Sequence, residues 1–536
     1  MIRLHLLRFA LVVAAAVIVP AVAMPRPALA QAEGTDPAIA SDSTLAADPA
    51  LEADRASEPA TPGATALARK LAALPAEGPE QEIKERSVLI AFYEKRQNRP
   101  LWVDEKGLTQ KAAAIVREIK SAGDWGLDAS AFKLPDLPTD ANPVATLDPE
   151  RMADAEIALS VAILKYARYA RGGRIIDPTT LLNSNLDRKP QLIDPETVIS
   201  DISAAVKPDL YLRELHPKHP QFERLRQALL KTKSLSLSDK LRANMEEWRW
   251  MPEDLGDLHI LANVPEFMVY LVKNGTPIHS ERIVVGELGK QTTIFTRNLK
   301  TIVFKPLWRV PDSIKVRELQ PDLRHTGGSL FRQHALQLET KDGQPLDYRS
   351  IDWSTADIRD YEVVQPPGRK NVMGIVKFTF PSQHTIFMHD TIDKWMFGRS
   401  VRTLSHGCLR LRNPMRMAEL VLAEDKGWDA GQVEAVVEEG PRNNEIVIGH
   451  KIPVHLVYFT AWVDDDGRLR TFRDIYGHEK RIKQALAGKW NQIDVGRNHL
   501  APVKPLAPGP SAAYRAPKQS HPSILDIVGN ALSGSF

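Results

Sequence analysis

The sequence predicts an α+β protein, a mainly helical N-terminal scaffold followed by a mostly-β domain. Three observations lead there. From about residue 66 to 250 apolar residues recur at helical spacing. Near residue 257 the pattern changes to short runs rich in β-branched and aromatic residues, divided by turn residues. The chain has 536 residues, 43% hydrophobic and 26% charged, enough apolar material for two or three domains.

Taken in order, the chain opens on an export signal. Arg3 and Arg8 form a charged start, 9–23 is nearly all apolar, and Ala28-Leu29-Ala30 is a small-x-small cleavage site before Gln31. The apolar run falls short of the ~20 residues a spanning helix needs. Residues 1–30 are therefore read as a cleaved signal peptide and the mature protein as periplasmic, an uncleaved membrane anchor being the alternative. Residues 31–65 are rich in Ala, Asp, Glu, Pro, Ser and Thr without periodicity, a disordered linker.

The scaffold is expected over 66–250. Its clearest helix is 152–171, with Ile157, Val161 and Leu164 on one face and Gly172-Gly173 as its stop. Segments 222–230 and 241–248 add two more. The mostly-β domain is expected over 251–480. Runs 258–264 and 267–272 are strand candidates, Asn274-Gly275 after them is a hairpin turn, and further strands are expected at 283–285, 301–304, 375–380, 385–388, 446–448 and 454–459. One helix interrupts them. Asn413 is its expected cap, Pro414 its first residue, and Met417, Leu420 and Val421 its apolar stripe. The extension 481–536, with its Pro/Ala-rich stretch at 499–522, is expected to be largely disordered. No internal repeat is found.

A net charge of +3 over this length gives no nucleic-acid footprint. There is one cysteine, so no intramolecular disulfide can form, and a lone thiol in an oxidising compartment needs a reason to be there. That reason lies in His389-Asp390-Thr391 followed by Ser405-His406-Gly407-Cys408-Leu409-Arg410. A free thiol titrates near ~8.5 and is mostly un-ionised at neutral pH. It needs an imidazole to take its proton and donors where an acyl oxyanion forms. His389, at the end of the strand expected at 385–388, is the candidate base. The amides of Gly407 and Cys408 are candidate oxyanion donors, and the Asp390 backbone or side chain can hold the His389 tautomer.

The bland readings are an inert buried cysteine and a satisfied core histidine. Ser-His-Gly-Cys together, in an exported chain without other cysteines, favours catalysis. A zinc site on His384, His389, His406 and Cys408 matches no common ligand spacing. No metal and no cofactor is expected. The histidine precedes the cysteine by 19 positions, the reverse of the papain-like order.

These residues resemble the L,D-transpeptidase catalytic domain of YkuD type, whose signature is a histidine, a gap, then Ser/Thr-His-Gly-Cys, a hydrophobic residue and Arg/Asn. The resemblance extends over about 85–480, to the large Gram-negative, YcbB-like subgroup. It is carried by Phe92-Tyr93, Arg99-Pro100-Leu101-Trp102, Trp125-Gly126-Leu127-Asp128, Arg249-Trp250, Asn263-Val264-Pro265, Val284-Val285-Gly286, Pro306 with Trp308, Gln365-Pro366-Pro367-Gly368, Ile452-Pro453-Val454 and Asp474-Ile475-Tyr476-Gly477.

The resemblance implies Cys408 as nucleophile and His389 as general base. Ser405 and His406 would support an oxyanion region supplied by the Gly407 and Cys408 amides. Arg410 would either hold a substrate carboxylate or brace the loop. It implies a catalytic domain at 251–480 behind the scaffold, with a capping insertion at about 312–367. The polar composition of that insertion and its Pro366-Pro367-Gly368 end suit a lid that excludes water from a thioester.

The implied substrates are peptidoglycan stem peptides, as donor and acceptor. Cys408 would attack after the L-centre of a diamino acid, release the terminal D-residue, and pass the acyl group to a neighbouring amine. Carbapenems would acylate the same thiol. An L,D-carboxypeptidase, an enzyme attaching or releasing wall-linked proteins, and a catalytically silent wall-binding scaffold are the alternatives. Two departures stand out. The subgroup's peptidoglycan-binding insert has no room between 230 and 241, and Lys305 stands where Asn is expected.

Overall fold

A computed structural model describes residues 61–137 and 146–507. The signal peptide and most of the expected linker lie outside the described residues, as does the chain beyond 507. Among the described residues no helix is long and apolar enough to cross a membrane.

The first helix, Pro62–Ala72, begins inside the segment read as linker. Thr61 Oγ1 accepts the Ala64 amide at 3.2 Å and Pro62 occupies the first turn, where its missing N–H has no cost. The scaffold packs around the helix Pro149–Gly172, capped by Asp148 and stopped by Gly173 at φ 86°. Its expected stripe is corrected. Leu164 is buried and Ile157 packs against the core, but Val161 is exposed, and the buried face also takes in Leu159, Ile163, Tyr166 and Ala170. The helix is apolar around most of its circumference, so periodicity alone could not choose the side.

Glu156 on this helix is fully buried. It accepts the amides of Leu101 at 2.7 Å, Trp102 at 2.9 Å and Val103 at 2.9 Å, and the Tyr93 hydroxyl at 2.6 Å. Burial pushes its carboxyl up against the pull of those donors. Glu156→Ala leaves three backbone amides unsatisfied, the Tyr93 hydroxyl keeping Ser160 Oγ at 2.8 Å, and is expected to cost about 3 kcal/mol or more. A calorimetric scan checks this, since an unshifted first transition would mean that water replaces the carboxylate.

Past Leu235–Arg249 the main sheet begins. Its strands are β1 (Leu258–Asn263), β2 (Met268–Lys273), β3 (Thr276–Gly286), β4 (Thr296–Asn298), β5 (Thr301–Phe304), β6 (Val376–Thr379), β7 (Met388–His389), β8 (Thr403–Ser405), β9 (Leu409–Leu411), β10 (Asn444–Val447) and β11 (Pro453–Val457). The order is β10-β5-β6-β7-β9-β3-β2-β1-β11-β4, with β8 also pairing β3. The pairs β7–β9, β8–β3 and β11–β1 are parallel and the rest antiparallel.

One face carries Ile302, Phe304, Val376, Phe378, Met388, Leu409 and Leu411, clustered with Met417, Ala418, Val421 and Leu422 of the helix Pro414–Lys426. Pro414 starts that helix and Gly427 ends it, but the Asn413 side chain makes no capping bond.

Between β5 and β6 lies the cap. Strands Pro345–Leu346, Gln337–Glu339, Glu362–Gln365 and Trp308–Arg309 form a small sheet in that order. A π-helical turn, Lys315–Leu319, joins its short helices. The cap has its own core, on which Phe387 and Ile392 of the main domain and Val503 and Leu506 of the C-terminal extension also pack.

The extension therefore differs from the expectation of disorder as far as it is described. The helix His478–Leu486 buries Ile482 and Ala485. The irregular chain after it is tied by Asn183 Nδ2 to Val495 O at 2.8 Å and by Arg359 Nη1 to Val503 O at 3.1 Å. Such ties are set by distant side chains and leave no periodicity to read.

Candidate active site

Alternation places the site. Met388 and Leu409 are register partners and both point into the core, so their neighbours point to the opposite face. There Lys377 on β6, His389 on β7 and Arg410 on β9 form a row across three strands. Cys408 enters one step before β9, and the Leu409 amide donates to Phe387 O at 3.0 Å. Cys408 thus lies on the same face as His389, one strand over and two register positions back. The run expected as a strand at 385–388 is mostly irregular. Thr385 has φ 52°, and only Met388–His389 join the ladder.

His389 is buried, and its Nδ1 donates to the Asp390 carbonyl. That bond fixes the tautomer and leaves Nε2 with its lone pair. The Asp390 backbone does this. Its carboxylate instead binds Lys394 Nζ at 2.6 Å and the Ile375 amide at 3.0 Å. Gly374, at φ 62°, makes this approach possible, because a Cβ there would lie 2.2 Å from Asp390 Oδ2.

The loop before Cys408 is braced from within. Ser405 Oγ donates to Cys408 O at 2.6 Å and accepts the Gly407 amide at 3.2 Å. Thr292 Oγ1 donates to Gly407 O at 2.7 Å. Gly407 has φ 112°, a conformation that L side chains rarely adopt. Since Ser405 takes up the Gly407 amide, the Cys408 amide is the better candidate of the two oxyanion donors.

His406 points away from the thiol, into the cap. Its Nε2 lies 2.7 Å from Glu318 Oε1, and Lys290 Nζ reaches the same oxygen at 3.1 Å. Burial pushes the Glu318 carboxyl up, but the bond to His406, its charge and that of Lys290 outweigh burial and hold it low. Arg410 is fully buried. Its Nη1 meets Asp393 Oδ2 at 3.3 Å and Thr391 Oγ1 at 3.4 Å. This geometry favours bracing over direct contact with a substrate carboxylate.

His384, the remaining histidine of the zinc alternative, is tied to Asp187 and His499, and His406 is tied to Glu318. Those four residues do not converge. Lys377, Lys290 and Glu318 are additions to the residues singled out from sequence. Alternation in 375–380 already put Lys377 opposite the core. Nothing local marks Glu318, which is 88 residues from His406.

Charge at the site differs from a preformed ion pair. Burial pushes the His389 imidazole down to about 3, helped by the positive charge of Arg410. Burial pushes the Cys408 thiol up to about 11, against the pull of the Phe387 amide, Arg410 and Lys377. Both directions favour the uncharged imidazole and the uncharged thiol at rest. Below its pKa a thiol ionises tenfold more per pH unit. Iodoacetamide alkylation of the free protein is accordingly expected to climb about tenfold per unit between pH 7 and 9 without a plateau. A plateau by pH 7 would mean a resting thiolate–imidazolium pair.

Comparison with known proteins agrees with this geometry. Residues 87–229 match a family model described as a scaffold domain, and residues 257–436 match one described as the L,D-transpeptidase catalytic domain, YkuD. The Haemophilus influenzae protein named "Putative L,D-transpeptidase" is 25% identical over 415 residues, spanning 76% of this chain and 81% of that protein. The second matched segment contains Lys377, His389, the Ser405–Cys408 loop, Arg410 and the cap. The chain carries an L,D-transpeptidase catalytic domain of the YkuD family behind a scaffold domain.

Proposed function

We propose that this protein cross-links peptidoglycan stem peptides through a thioester on Cys408. The observation that carries the reading is the placement of a neutral, tautomer-fixed His389 on the same sheet face as Cys408. Sγ attacks the carbonyl carbon after the L-centre of the stem's diamino acid as its proton passes to His389 Nε2. The tetrahedral oxyanion is held by the Cys408 amide. His389 then gives its proton to the departing amine of the terminal D-residue, leaving the thioester. An amine of a neighbouring stem attacks next, losing its proton to His389, and the C–S bond breaks with the thiol re-protonated. The buried Arg410 charge favours the developing thiolate and opposes the imidazolium, so its main part is to hold Thr391 and Asp393 beneath the site.

With water as acceptor the same acyl-enzyme gives an L,D-carboxypeptidase, and with a wall-linked protein it gives attachment or release. The cap favours an amine acceptor, because it packs on Phe387 and Ile392 on either side of His389. Such substrates, together with the export signal read from 1–30, support a periplasmic location. Helices Pro220–Lys231 and Leu235–Arg249 are joined directly, without an inserted glycan-binding module.

Intact-protein mass spectrometry tests the acylation step. Incubation with a stem tetrapeptide ending in a D-residue is expected to add the tripeptide acyl mass. A carbapenem is expected to add one adduct, and both should vanish in Cys408→Ala. Wild-type protein unmodified by either after long incubation would overturn the acyl-enzyme reading. Comparing wall muropeptides with and without the protein then identifies the acceptor.

A further inference from the structure

Outside the catalytic row, side chains from three distant parts of the chain meet beside Thr385. Ser184 and Asp187 come from the end of the scaffold, His384 from the approach to β7, and His499 from the C-terminal extension. His384, whose side chain is wholly buried, places Nε2 2.8 Å from Asp187 Oδ2 and Nδ1 2.8 Å from His499 Nε2. His499 Nδ1 lies 2.9 Å from Ser184 Oγ. One direction of donation satisfies every member with neutral rings. Ser184 O–H donates to His499 Nδ1, His499 Nε2–H to His384 Nδ1, and His384 Nε2–H to the Asp187 carboxylate. Arg297 Nη2 holds that carboxylate at 3.2 Å, and the His384 ring packs 5.1 Å from Phe295. The Ile294 amide donates to Asn185 O at 2.8 Å, pinning the scaffold loop to the catalytic domain.

The next residue is under strain. Thr385 has φ 52°, a left-handed conformation unfavourable for a β-branched side chain. Its side chain is exposed, so packing of the threonine itself does not hold it there. Its carbonyl faces the nucleophile, with Cys408 Sγ donating at 3.9 Å, within reach for sulfur.

We propose that Asp187, His384 and His499 form a clamp that holds Thr385 left-handed, so that its carbonyl orients the Cys408 thiol. This rests on the reading of Cys408 as nucleophile. The clamp residues are positioning residues, and the C-terminal extension becomes part of the support of the active site.

The experiment measures kcat and KM for the tetrapeptide donor in full-length wild type, His499→Ala, and His499→Ala/Thr385→Gly, with thermal melts of each. His499 is partly exposed on an irregular segment, and Ser184→Ala serves as a milder second variant. His499→Ala is expected to lower kcat about tenfold with KM little changed, a displacement of the reacting group being felt mainly in turnover. Glycine adopts the left-handed conformation without penalty, so the double variant should recover a third or more of the lost kcat. A purely structural tie would move the melting temperature and would not be rescued at position 385. Wild-type turnover in His499→Ala, or a kcat loss that Thr385→Gly leaves unrepaired, overturns the clamp. A wild-type protein that never acylates at Cys408 overturns the nucleophile reading instead.

Discussion

Cys408→Ala and His389→Ala are each expected to abolish measurable acyl-enzyme formation at pH 7, a loss of at least about a thousandfold, with the fold intact. The two variants should fail differently. Without Cys408 there is no sulfur to acylate at any pH. Without His389 the thiol remains, pushed up to about 11 by burial. A thiol titrating there is ionised to roughly one part in ten thousand at pH 7. The residual acylation of His389→Ala should therefore rise about tenfold per pH unit toward alkaline pH, as hydroxide takes over from the imidazole. The double variant should resemble Cys408→Ala, since the pair acts as one unit. Single-turnover acylation between pH 6 and 10 checks all three. Near wild-type acylation in His389→Ala at pH 7 would remove His389 as the base.

The parts of this site that were legible in the sequence are those that lie close together along it. Ser405, His406, Gly407 and Cys408 are contiguous, and His389 ends a short apolar run whose next partner in the sheet carries the cysteine. Strand patterning read β5, β6 and β11 well, because each alternates or is buried over several residues. What could not be read depends on chain segments far apart. Glu318 meets His406 across 88 residues, and His499 meets His384 across 115. Each is an ordinary polar residue in its local context.

The left-handed turn at Thr385 was hidden for another reason. A threonine in an apolar run favours a strand, and only tertiary contacts hold it otherwise. The helix Pro149–Gly172 was found, but Val161 was placed on its buried stripe and is exposed, because much of the helix is apolar. Spacing marked Cys408 and His389 as a pair but not their charge state, which burial biases by pushing the imidazole down and the thiol up. Desolvation is a property of the assembled site and cannot be read from spacing.

Glu318→Ala is expected to shift the products about tenfold toward hydrolysis while donor acylation changes little. Glu318 sits on the π-helical turn of the cap and is a buried anionic link to the Ser405–Cys408 loop. Removing it leaves Lys290 and His406 in contact with no carboxylate between them. Breaking one partner of a buried ion pair costs about 3–5 kcal/mol. Here the Lys290 and His406 side chains keep some solvent contact and Lys290 keeps Glu287 at 3.3 Å, so a smaller cost is expected, about 1–2 kcal/mol. A cap closed by a few kcal/mol would then spend about ten times longer open, while the closed fraction, and with it donor affinity, falls only slightly. An open cap admits water to the thioester, and water competes with the acceptor amine. Glu318→Gln keeps a hydrogen bond without the charge and should fall between wild type and Ala. Replacing 312–367 with a short Gly/Ser link is the extreme case, although it also uncovers Phe387, Ile392, Val503 and Leu506. The measurement is the ratio of cross-linked to hydrolysed product at matched acylation. An unchanged ratio in both Glu318→Ala and the cap replacement, once folding is verified, would make the cap a static brace.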